Sequence, residues 1–312
     1  MRRNRWLWIS SGGALVGIVG LLAWYFFQTQ ISPRTALSLT PENLQPLSLP
    51  AGVADVLTQS DSGNAGAIYL SAAEAYESQQ GQCDQFADKP IGDPPAPIAQ
   101  ILSAAGTKCD SIFAGNPSAI VNYDAEHPPL DDLQQLGSDM DKIGLILLHR
   151  HQADDAKRYF TAVYALGWGM YSERLNYDEY QKGMGLLNES SQGLAECEPA
   201  SATELSQASD SRVRFDTDHV QPIYTKIVSI DPQDVADYAG DVFAFATDCQ
   251  DRMLRVEAIL KLGRYRFDAA KTSDQTAAPK TLSNLAGNSD PVVAAAANAA
   301  LNLTLDQYRT IH

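Results

Sequence analysis

The 312-residue sequence contains none of the short patterns that mark common catalytic machinery. It has no G-x-S-x-G turn to present a nucleophilic serine, no H-E-x-x-H helix for zinc, and no glycine-rich loop to cradle a phosphate. Cysteine is scarce at four residues, with no C-x-x-C pair and no Cys/His spacing that would close a tetrahedral zinc site. Basic residues are also in short supply. Of 23 lysines and arginines, three precede Trp6, which leaves 20 against 38 acidic residues and a formal charge of −18 on the rest of the chain. A field of that sign repels phosphate backbones and anionic headgroups alike, so nucleic acid is excluded as a partner and adhesion to a bilayer surface is not expected.

The longest gap is in charge itself: none occurs between Trp6 and Ser32. The 22 residues from Trp6 to Phe27 would reach about 33 Å as a helix, enough to cross a hydrocarbon core of about 30 Å. Arg2, Arg3 and Arg5 in front of the run predict a cytoplasmic N-terminus, with the remaining 285 or so residues in the periplasm or extracellular space. Trp6 and Trp8 at one end, and Trp24 and Tyr25 at the other, belong at the two membrane interfaces. The rival reading is a cleaved signal peptide. Its apolar region would be only about 7–15 residues and would lead into a small-residue cleavage site, whereas this run is longer and ends in aromatics. Gly13 and Gly17 form a G-x-x-x-G pair, a candidate face for pairing two such helices into a homodimer.

Placing the chain outside the cytoplasm makes Cys83, Cys109, Cys197 and Cys249 disulfide candidates. Four cysteines allow three connectivities, and proximity in sequence favours Cys83 with Cys109 and Cys197 with Cys249. The alternative is four free thiols.

After the basic stretch 1–5 and the anchor 6–27, residues 28–63 read as a spacer broken by Pro33, Pro41, Pro46 and Pro50. Region 64–129 opens with an amphipathic helix from Asn64 to about Gln79, stopped by Gly81. It continues through an irregular proline-rich stretch with one helix near Ile98–Ala105. Long helical periodicity fills 130–230. Leu133, Leu136, Met140, Ile143 and Leu147 make one apolar stripe, and Ala156, Tyr159, Phe160, Val163 and Leu166 a second after a short turn, so the two helices pack antiparallel. A further helix runs from Tyr177 to Glu196. In 231–312, Asp251, Leu254, Arg255, Ala258 and Leu262 recur 39 residues later as Asp290, Val293, Ala294, Ala297 and Leu301.

These patterns carry two resemblances. Met140, Ile143, Gly144 and Leu147, followed by Ala156, Phe160 and Val163, resemble one tetratricopeptide-like hairpin over about 137–170. The pattern does not recur 34 residues on, where Arg174 and Asp178 take apolar or small positions. Residues 234–303 resemble two HEAT-like repeats, with a period near 40. DPVVAAAANAALN is similar to a second repeat helix, with Asp290 capping and Pro291 in the first turn; DRMLRVEAILKLG is its earlier counterpart. First helices are expected at about 234–247 and 274–286.

The fold class expected is therefore all-α: a single transmembrane helix followed by an α-α superhelical, TPR/HEAT-like domain. Such repeats bury surface against neighbours and leave a platform, so the expected role is an anchored interaction or assembly scaffold, without cofactor, whose partner is another envelope protein. A basic stripe of Arg252, Arg255, Lys261, Arg264 and Arg266 is the candidate partner face. The alternatives are an envelope enzyme of unrecognised type and a protein that binds a small molecule or glycan in an interhelical pocket. A platform predicts an exposed apolar patch; an enzyme predicts a pocket with convergent His, Asp or Arg. Catalytic candidates are thin: His149 and His151 project about 200° apart on a helix, Asp154 and Asp155 read as capping residues, His127 lacks a partner, and Asp216, Asp218 and His219 converge only if 212–219 is extended.

Overall fold

The structure is a computed structural model that describes residues 63–113, 115–121, 128–233 and 239–310. The expected anchor, with Arg2, Arg3, Arg5, Trp6, Trp8, Trp24, Tyr25, Gly13 and Gly17, lies outside the described residues, as does the spacer through residue 62. Every regular element among the described residues is a helix, and none of these helices is long and apolar enough to cross a membrane.

Helix α1 (Gly66–Asp88) turns Tyr69, Ala72, Ala73, Tyr76, Cys83 and Ala87 inward. It runs through Gly81, where a stop was expected. That residue is exposed with open space around it, and a glycine there costs only about 1 kcal/mol. Packing of the inner stripe on α2 (Ala96–Ala104) and on the later helix Pro128–His149 outweighs this cost. The helix ends before Pro90, which keeps Lys89 out of the helical region (φ −143°, ψ 79°). The loop after α2 returns to the start of α1, where Ala65 N–H donates to Lys108 O at 3.0 Å. A single turn, α3 (Ser118–Val121), precedes the long hairpin.

That hairpin is α4 (Pro128–His149) and α5 (Ala153–Glu173), joined by three residues, with His151 at φ 60° making the reversal. Phe160 on α5 sets its depth. A Cβ added to Gly144 on α4 would stand 2.6 Å from the Phe160 ring, and one added to Gly193 on α6 (Tyr177–Cys197) would stand 2.3 Å from it. Two helix backbones thus close on one ring. Asn176 caps α6, accepting from Glu179 N–H at 2.8 Å.

Helices α7 (Ala202–Phe215) and α8 (Gln221–Ser229) are continuous through a π turn at Asp216–Val220. Pro222 lies just after it. With no N–H to return to the preceding turn, it disfavours regular α-helical bonding there.

Two helix pairs follow: α9 (Ala239–Asp248) with α10 (Arg252–Asp268), and α11 (Thr272–Leu285) with α12 (Pro291–Asn302). The first helices of the pairs touch each other, and so do the second. Both second helices start at the expected aspartates: Asp251 Oδ1 accepts from Leu254 N–H at 3.0 Å, and Asp290 Oδ1 from Val292 N–H at 2.9 Å. Helix α10 is buried nearly all round because α6, α8, α9, α11, α12 and α13 (Leu305–Thr310) surround it. Gly263 makes room for the last of these: a Cβ there would sit 1.6 Å from Tyr308 Oη, which donates to Leu260 O at 3.2 Å. Consecutive packed helices of this kind are compatible with a helical-repeat fold. The short α3 lies against α12, far from it in sequence.

The cysteines depart from expectation, since all four are free. Cys109 follows Lys108 at the start of α1, whereas Cys83 lies 18 residues beyond Ala65, about 27 Å along the helix. Cys197 ends α6, while Cys249 lies beside Arg174 just before its start, about 30 Å away. A disulfide needs Cα atoms within about 7 Å. Proximity in sequence misled because a long straight helix separates the members of each pair.

Candidate functional site: a polar cleft where the hairpins meet the repeats

Arg174 leaves α5 in the left-handed conformation (φ 50°), with its N–H returned to Met170 O. The residue is 2 % exposed, and its guanidinium stacks over Tyr180 at 4.6 Å, with Tyr171 at 5.9 Å. Its Nη2 lies 2.9 Å from Asp251 Oδ2. The angle there is too poor for a hydrogen bond, so the contact is Coulombic; Arg174 Nε and Nη1 also lack acceptors. Burial raises the Asp251 carboxyl above its ordinary value, and Arg174 opposes the rise.

The second helix pair shows the same theme. Asp290 uses one oxygen to cap α12 and the other to accept from Arg252 Nε at 3.2 Å. Arg252 also donates to Glu173 O at 3.4 Å, and Arg255 donates through Nε to Ala246 O at 3.0 Å. Glu173, Arg174, Asp251, Arg252, Arg255 and Asp290 line a cleft of about 320 Å³.

Behind this cleft, the Glu173 carboxylate gathers the loop 111–113: it accepts from Ser111 Oγ, from Ile112 N–H at 2.6 Å and from Phe113 N–H at 3.1 Å. Beside it Glu179 is fully buried. Burial first, and then the neighbouring Glu173, push its carboxyl well above the ordinary range. One oxygen accepts from Leu175 N–H at 2.7 Å, and the side chain faces the Glu173 carboxylate, a contact that favours the protonated form. Deeper along α10, burial raises Glu257 to about 7 and lowers Lys261 to about 8.

The basic stripe is not a free face. Lys261 is buried and donates to Val228 O, Arg264 pairs with Asp231 and Asp268, and Arg266 donates to Ala300 O. Only Arg252 and Arg255 reach the cleft. His149 and His151 are both exposed, one closing α4 and the other in the turn. The stretch 212–219 is helical rather than extended. Asp216 is buried and accepts from Gln181 Nε2, whereas Asp218 and His219 face solvent. His127 lies outside the described residues. Among the described residues, no three His, Cys, Asp or Glu gather to hold a metal ion. The large exposed hydrophobics among the described residues are Ile91, in the loop before α2, Leu145 on α4 and Val213 on α7.

Comparison with known protein families, curated proteins and solved structures found no match to this chain.

Sequence reasoning named Asp251, Arg252, Arg255 and Asp290 but missed Glu173, Arg174 and Glu179. A signal was present. Arg174 interrupts the register that a second tetratricopeptide-like unit would need, and the residue that spoils the repeat is the one that joins the two halves.

Proposed function

We propose that the protein is a membrane-anchored, extracytoplasmic helical-repeat protein that serves as an interaction or assembly scaffold for another envelope protein. In this reading Trp6–Phe27 is the anchor, with the N-terminus cytoplasmic; α4 and α5 are a tetratricopeptide-like hairpin, and α9–α12 are two HEAT-like repeats. The observation that carries it is the stacking of α9/α10 on α11/α12, like helix on like, with equivalent aspartate caps. Convergence of Asp and Arg in the cleft does not by itself make a general base. Each carboxylate oxygen of Glu173, Asp251 and Asp290 is already held by a hydrogen bond or an ion contact.

Cross-linking of the full-length protein in its native membrane, followed by identification of what co-purifies, tests the scaffold. A specific envelope protein captured in stoichiometric yield is the expected result. Recovery of the protein alone, with activity on a small molecule, would overturn it.

A further inference from the structure

The cleft is formally balanced, with three acidic residues and three arginines along its lining. Its free hydrogen-bonding capacity is not balanced. Asp251 spends Oδ1 on Leu254 N–H and sets Oδ2 against Arg174 as an ion contact without a hydrogen bond; both oxygens of Asp290 are engaged, on the α12 amides and on Arg252. Glu173 directs its carboxylate away, into the 111–113 loop. The guanidinium groups keep donors in reserve. Arg174 has Nε and Nη1 without acceptors although the residue is 2 % exposed. Arg252 spends Nε and Nη1, and Arg255 spends Nε, which leaves the Nη2 of the first and both Nη of the second for a visitor. Each guanidinium offers five N–H donors in a planar fork suited to carboxylate and phosphate oxygens.

Size agrees with a small visitor. A volume of about 320 Å³ falls at the lower end of small-molecule pockets. We propose that this cleft binds the anionic group, carboxylate or phosphate, of a small molecule, with Arg252 and Arg255 contacting it and Arg174 supplying positive charge from the buried side. The two contacting arginines lie three residues apart on α10, on one face of the helix, so they can grip one anion together. This site goes beyond the scaffold reading and stands without it.

The test is isothermal titration of the full-length protein in nonionic detergent with inorganic phosphate and with succinate. Saturable binding of at least one probe at or below about 1 mM is expected. Arg252→Gln and Arg255→Gln should each weaken it by about tenfold or more, with helical circular dichroism retained. Arg255→Lys, which keeps the charge and loses the fork, should fall between wild type and Arg255→Gln. Phosphate binding without succinate binding assigns a phosphorylated ligand, and the reverse a carboxylate. No saturable binding of either probe up to about 10 mM, or affinities that neither glutamine substitution changes, would overturn the proposal.

Discussion

The Arg174–Asp251 pair invites a double-mutant cycle, because both side chains are almost fully buried, at 3 % and 1 % exposed. Arg174→Met keeps a long side chain over Tyr180 but leaves Asp251 charged and alone, a situation that typically costs about 3–5 kcal/mol. Asp251→Asn is milder in one respect. The amide oxygen can still cap α10 at Leu254, so the loss comes from stranding Arg174 rather than from fraying the helix. The double substitution removes both charges and retains the cap. Since burying the pair is itself unfavourable, the double variant should lose less than the sum of the single variants, by about 2 kcal/mol or more. Urea unfolding of the full chain in detergent, followed by helical circular dichroism, reads all four corners of the cycle. Strictly additive losses, or an Arg174→Met cost below about 1 kcal/mol, would show that water screens the pair and that the junction is not the buried contact described here.

Glu179 is raised well above its ordinary 4.5 and Glu257 to about 7, so each remains protonated in the folded chain after its unfolded counterpart has ionised. Stability contributed this way falls as pH rises from about 4.5 through the folded values, and Glu179→Gln and Glu257→Gln should flatten that fall in urea titrations taken between pH 4.5 and 8. Gly193→Ala places a methyl group 2.3 Å from the Phe160 ring and should cost about 1–3 kcal/mol, partly recovered by Phe160→Leu; an unchanged melting temperature would contradict the packing. All four cysteines should react with a thiol reagent in denaturant without prior reduction, whereas in the folded chain Cys83 and Cys249 should react slowly, because burial raises both thiols to about 11. Fewer than four reactive thiols would restore a disulfide.

What could be read from the sequence was local. The caps at Asp251 and Asp290, the stripes of α4 and α5 and the 39-residue recurrence depend on residues a few positions apart, where helical geometry fixes who meets whom. The limits of α1 were misjudged because Gly81 acts against local propensity alone, while the face it interrupts is held by α2 and α4. The junction was beyond reach for a different reason. Glu173 meets residues 111–113 and Arg174 meets Asp251 across some 60–77 positions, and polar partners leave no periodicity to follow. The setting of the basic stripe was hidden for the same reason, since the groups that meet Lys261, Arg264 and Arg266 lie mainly on other elements.

The contact of α3 with α12 changes how this chain gains and loses its structure. In an open solenoid each unit touches only its neighbours, so the array can fray from either end and tolerate the loss of a terminal unit. Here the final pair rests partly on four residues made some 170 positions earlier, and Asn176 ties those residues to α6 by donating to Ile120 O at 2.9 Å. Losing α12 uncovers a segment belonging to the first half, so the last helix pair is not dispensable, and unfolding should proceed as one transition rather than unit by unit from the C-terminus.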